Sequence, residues 1–74
     1  MEELQMKLSA RNSLKGKVVE VKPGAVNAEV TIELPGGQQV VSIITLESAN
    51  ALGLAAGKEV YAIIKASNVM IAAD

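Results

Sequence analysis

Nine consecutive residues, Val26 to Leu34, alternate apolar and polar without a break. Val26, Ala28, Val30, Ile32 and Leu34 fall on one side; Asn27, Glu29, Thr31 and Glu33 fall on the other. A period of two is the mark of a strand with one buried face. Pro35-Gly36-Gly37 follows and reads as a hairpin connection, which makes Gln38 to Thr45 the returning strand. Before the alternating run, Lys15 to Lys22 reads as a strand that ends in the turn Pro23-Gly24. Gly16, near its start, marks a bulge or a close approach of backbone. Earlier still, Met6, Leu8 and Ala10 alternate with Lys7, Ser9 and Arg11. That places Ser9 and Arg11 on one face of a first strand, about 7 Å apart.

At Thr45 the period changes. Thr45 is a natural N-cap for a short helix from Leu46 to about Leu52, and Gly53 suits the position just past its end. Glu59 to Lys65 is the next strand, Ala66-Ser67-Asn68 breaks it, and Val69 to Ala73 reads as a last short strand. The expected fold is all-β. It is an OB-like Greek-key barrel of five to six strands with one short helix between the fourth and fifth. Residues 1–5 read as an N-terminal tail and residues 6–74 as one domain.

Size and composition narrow the function. A domain of 74 residues is marginal alone without a staple. With no cysteine and no histidine, disulfides and the usual zinc sites are excluded. Half the residues are apolar, so oligomerisation is the staple that remains. A net charge of −1 gives no footprint for nucleic acid or an anionic membrane, and a single Tyr gives no platform for stacking bases. No apolar run approaches the roughly 20 residues of a membrane span. The acidic start, Met1-Glu2-Glu3, does not resemble a signal peptide, so the expected location is the cytoplasm.

Catalysis finds little to work with. There is no histidine, and the glutamates near Thr31, Thr45 and Ser48 read as solvated side chains on strand faces or, for Glu47, as a partner of the helix dipole. No catalytic residue and no direct metal ligand is assigned. Hydrogen-bond donors are better represented. Ser9, Arg11, Thr45, Ser48, Lys65 and Ser67 all fall at strand ends or at the helix start. Two cations and several hydroxyls suit a tetrahedral dianion. Spacing alone favours a plainer reading, in which these residues cap the helix, make turns or carry solvated charge.

The segment Ser9-Ala10-Arg11-Asn12-Ser13-Leu14-Lys15-Gly16-Lys17-Val18 resembles the opening of the molybdate-binding Mop domain, the unit of the molbindins. Ala25-Val26-Asn27-Ala28-Glu29-Val30, Ile43-Ile44-Thr45-Leu46-Glu47-Ser48 and Ala62-Ile63-Ile64-Lys65-Ala66-Ser67-Asn68-Val69-Met70 are similar to later parts of that family. The match runs from about Met6 to Ala72; residues 1–5 precede the family's usual start.

The resemblance implies binding, storage or buffering of molybdate or tungstate between subunits that exchange strands. The implied assembly is a homo-oligomer, a hexamer built as a trimer of dimers. It implies donors from Ser9, Ala10 and Arg11, from Thr45 and Ser48 of a neighbouring chain, and from Lys65, Ala66 and Ser67. The metal would be bound only as its oxyanion. Two alternatives stay open. One is a regulatory or assembly module of a larger molybdate-responsive regulator or transporter. The other is an OB-like module with no anion ligand.

Overall fold

The structure, a computed structural model, describes residues 11–74. Four strands form one antiparallel sheet: β1 (Asn12–Pro23), β2 (Asn27–Glu33), β3 (Gln39–Thr45) and β4 (Glu59–Ile64). A helix, α1 (Leu46–Ala51), lies in the connection from β3 to β4. The sheet order is β3-β2-β1-β4. Three strands in sequence, with the fourth returning beside the first, is the Greek-key arrangement.

The long strand β1 is shared by two neighbours. Its first half pairs with β4, from Asn12 opposite Ile64 to Lys17 opposite Glu59. Its second half pairs with β2, from Lys17 opposite Glu33 to Pro23 opposite Ala28. A register shift between Val18 and Glu20 marks a bulge, which bends a strand and increases its twist. Gly16 fills a different need. A Cβ there would meet Ile32 Cγ2 at 2.6 Å and the Glu33 carbonyl oxygen at 2.7 Å. The sequence offered a bulge or a close approach at Gly16. The close approach is at Gly16, and the bulge falls just beyond Val18.

The register puts Gly16 and Val18 of β1 on the same face as Ala28, Val30 and Ile32 of β2 and Ala62 of β4. Val18, Val30, Ile32 and Ala62 form the buried cluster, with Val21, Leu34, Val40, Ile44, Leu54 and Val60 packed around them. Ala28 is also buried, and α1 contributes Ala49. From Ala28 to Leu34 the apolar side of the alternation is therefore the core side, as its period requires. Val26 stands in the bend before β2 and is 71% exposed, so the strand begins one residue later than the alternation does.

The turns follow their sequences. The Gly24 N–H donates to the Asn27 carbonyl at 2.7 Å, closing the Pro23-Gly24 turn. Gly37 takes φ +95° in the β2–β3 hairpin, a conformation that glycine adopts without strain. The helix ends in a Schellman motif: Leu54 N–H bonds to Ala49 O and Gly53 N–H to Asn50 O, with Gly53 at φ +64°. The side chain of Lys58 adds a bond to the Leu52 carbonyl.

Two sequence expectations need correction or comment. Val69 to Ala73 is not a strand in the single chain, and Ala66–Asn68 before it is a turn of 3-10 helix. Met70 is 91% exposed and Ile71 88%, so these residues have no sheet edge to pair with here. An extended segment becomes a strand only when a neighbour satisfies its backbone. The expected strand that begins at Met6 lies outside the described residues apart from Arg11, which stands in a bend before β1. The helix is therefore between the third and fourth of the described strands.

Candidate functional site

The β1–β4 ladder ends at the pair Asn12 and Ile64. Arg11 precedes the first of these residues and Lys65 follows the second. Two cations thus leave the same end of the same ladder, and both are exposed. Ala66 and Ser67 follow Lys65 in the 3-10 turn at that end. The local sequence explains the placement. Alternation holds β4 in the sheet as far as Ile64, and Ala66-Ser67-Asn68 then turns the chain away, with Asn68 N–H donating to Lys65 O at 2.8 Å.

Thr45 and Ser48 form a second group. Thr45 is the N-cap of α1, and its hydroxyl accepts the Ser48 N–H at 3.0 Å. The Thr45 hydroxyl also donates to Ser48 Oγ at 2.8 Å. That arrangement spends one hydroxyl proton inside the pair and leaves the Ser48 proton to donate outward. Glu47 in the first turn suits the helix dipole.

The two groups are not brought together within one chain. Thr45 pairs with Asn27, at the end of the sheet where Pro23 finishes β1. Arg11 and Lys65 are at the end where Asn12 begins it. The 12 residues of β1 separate the two ends. Ser9 and Ala10, the remaining expected donors, lie outside the described residues.

One residue missing from the sequence-predicted donor set is tied into the site's frame. Asn12 Nδ2 donates to the Ile64 carbonyl at 3.1 Å across the final rung. Its signal in the sequence was its place as the last member of Ser-Ala-Arg-Asn, but the partner is 52 residues away.

Lys17 differs from Lys65. It stands opposite Glu33 on one side and Glu59 on the other, so acidic residues flank it in the sheet. Lys15 lies 3.7 Å from Glu59, an exposed pair worth little to stability. No group of three or more His, Cys, Asp or Glu capable of holding a metal ion occurs among the described residues.

Known proteins share this architecture. The TOBE domain model matches residues 8–71. The chain belongs to the TOBE-domain family. The chain is 56% identical over 68 residues to molybdenum-pterin-binding protein 3 of Clostridium pasteurianum, covering 92% of this chain and all of that protein. Its fold superposes on MopII from Clostridium pasteurianum, in an apo form, with a TM-score of 0.85. The two are 51% identical, over 90% of this chain and all of that one. It also superposes on the cytoplasmic molybdate-binding protein ModG with molybdate bound, with a TM-score of 0.86 and 50% identity. That match covers 89% of this chain and 47% of ModG. The Mop resemblance read from the sequence holds for this TOBE domain. Among its described residues no helix is long and apolar enough to cross a membrane.

Proposed function

We propose that the chain binds molybdate or tungstate as an intact oxyanion, storing or buffering it at sites formed between copies of itself in the cytoplasm. The observation that carries this reading is the placement of Arg11 and Lys65 at one end of the β1–β4 ladder. Two cations leaving the same end of one ladder repel each other unless something compensates them. A dianion between the two is such a compensation. The molybdate bound in ModG, at 50% identity, supports the choice of anion.

In this reading Ser9, Ala10, Arg11, Lys65, Ala66 and Ser67 supply one part of a site. Thr45 and Ser48 come from a second copy, because in their own chain they stand at the other end of the sheet. The assembly is a hexamer, a trimer of dimers, in which residues 6–74 form the domain and residues 1–5 a tail. Two features favour exchanged strands. The terminal strand β3 is apolar on both faces, with Val41 and Ile43 exposed and neither Lys nor Pro to blunt its edge. An apolar groove of about 550 Å³ is lined by both terminal strands, including Val40, Ile44, Tyr61 and Ile63. An added strand from another copy closes such a seam.

The chemistry is binding rather than catalysis. Molybdate and tungstate carry no proton at neutral pH, so a site made only of donors suits them. Hydrogen phosphate brings a proton that needs an acceptor, and leaving that bond unmade costs about 1–3 kcal/mol. Sulfate is also unprotonated, so cavity size must separate it from molybdate.

Isothermal titration of protein freed of oxyanions tests the reading, using molybdate, tungstate, sulfate and phosphate in turn. Heat with the first two and little with the others is expected. No heat and no thermal shift with any of them would leave an assembly module without an anion ligand.

A further inference from the structure

We infer that Asn12 is a positioning residue for the oxyanion site, fastening the Arg11 end of β1 to the Lys65 end of β4; the inference rests on the site proposed above. Asn12, Leu14, Gly16 and Val18 share the inward face of β1, as their partners Ile64, Ala62 and Val60 do on β4. Asn12 is the polar member of that series and is half-buried. An apolar residue would satisfy the pattern equally well, so the amide answers another need. It donates to the Ile64 carbonyl at 3.1 Å, on the last rung before the two cations.

That bond reaches Lys65 through the backbone. The Ile64 carbonyl and the Lys65 N–H belong to one planar peptide unit, and no peptide bond among the described residues is cis. Holding the carbonyl toward Asn12 therefore turns the Lys65 N–H the opposite way. On the other strand, Arg11 is bonded directly to Asn12, so the same contact fixes where its side chain begins. The end of a ladder is where strands fray, and two neighbouring cations favour fraying when no anion lies between them. A tie at this rung meets part of the ordering cost before the ligand arrives, and preorganisation of this kind raises affinity.

The test compares three proteins by molybdate titration and thermal melting: wild type, Asn12→Leu and Val60→Ala. Asn12→Leu keeps an inward side chain of similar size and removes the donor. Val60→Ala loosens the same ladder near its other end, opposite Gly16, without touching the site. The expected result is a roughly five- to tenfold weaker affinity in Asn12→Leu, the equivalent of one net hydrogen bond. Val60→Ala is expected to melt lower and still bind as wild type does below its transition. Wild-type affinity in Asn12→Leu overturns the positioning role. Equal weakening in both variants overturns it too, since any loosening of the ladder would then suffice. Should Asn12→Leu not fold, Asn12→Ala is read against Val60→Ala by the same criteria. Failure of the wild type itself to bind molybdate overturns the site, and this inference with it.

Discussion

Thr45 and Ser48 bond to each other twice, through the Ser48 N–H to Thr45 Oγ1 at 3.0 Å and through the two hydroxyls at 2.8 Å. One side chain thus caps α1 and sets the direction of the other. Thr45→Ala removes both bonds and is expected to cost about 1 kcal/mol of stability. Thr45→Ser keeps the oxygen and is expected to stay within a few tenths of a kcal/mol of wild type. Urea unfolding of the two variants checks this. Equal losses would mean that the threonine methyl, rather than its hydroxyl, supports the helix start.

Gly16 is required by space rather than by backbone conformation. A Cβ would press on Ile32 Cγ2 and on the Glu33 carbonyl oxygen, and backbone does not yield as a side chain does. Gly16→Ala is expected to destabilise the fold by about 1–3 kcal/mol, the usual range for overpacking. Denaturant midpoints give the value. A change below the error of the measurement would mean that β1 can shift away from β2 at little cost.

Arg11 and Lys65 are exposed, so removing either should leave the fold nearly unchanged, within about 0.5 kcal/mol. Arg11→Ala is expected to abolish tight molybdate binding. Lys65→Ala should weaken it more than Lys17→Ala, because Lys17 is already flanked by Glu33 and Glu59. Titrations of the three variants, with melting curves for each, decide the point. Wild-type affinity in Arg11→Ala, or equal effects at Lys65 and Lys17, would put the site elsewhere.

The parts of this fold that were legible in the sequence are those set by local chemistry. Within the Val26–Leu34 alternation, Ala28, Val30 and Ile32 share the core face because every second side chain of a strand points the same way, whereas Val26 precedes the strand and is exposed. Pro23-Gly24, Pro35-Gly36-Gly37, Thr45 and Gly53 marked turns and caps because few residues fit those conformations. Relations across the chain were harder to read. Nothing near Asn12 announces Ile64. Nothing near Thr45 shows that it stands at the far end of the sheet from Lys65. Val69 to Ala73 has the composition of a strand, but composition does not supply the neighbouring edge that a strand needs. The candidate site depends most on these long-range relations. The family resemblance implied that Thr45 and Ser48 come from another chain; alternation and spacing alone did not separate them from Arg11 and Lys65, and the strand pairing puts the two groups at opposite ends of the sheet.

That division leads to a prediction about mixed assemblies. If a site takes Arg11 and Lys65 from one copy and Thr45 and Ser48 from another, defects in the two groups should complement each other. A chain carrying Arg11→Ala has an intact Thr45/Ser48 group. A chain carrying Thr45→Ala and Ser48→Ala together has an intact Arg11/Lys65 group. Each protein alone is expected to bind molybdate poorly. In oligomers formed by co-expressing equal amounts, random pairing makes about one site in four from two intact groups. Titration of the mixed assembly should then recover about a quarter of the wild-type sites at nearly wild-type affinity. If each site were instead built within a single chain, every site would carry one defect and mixing would recover none. An absence of recovery in oligomers shown to contain both chains would therefore overturn the shared site, whatever the affinity of the wild type.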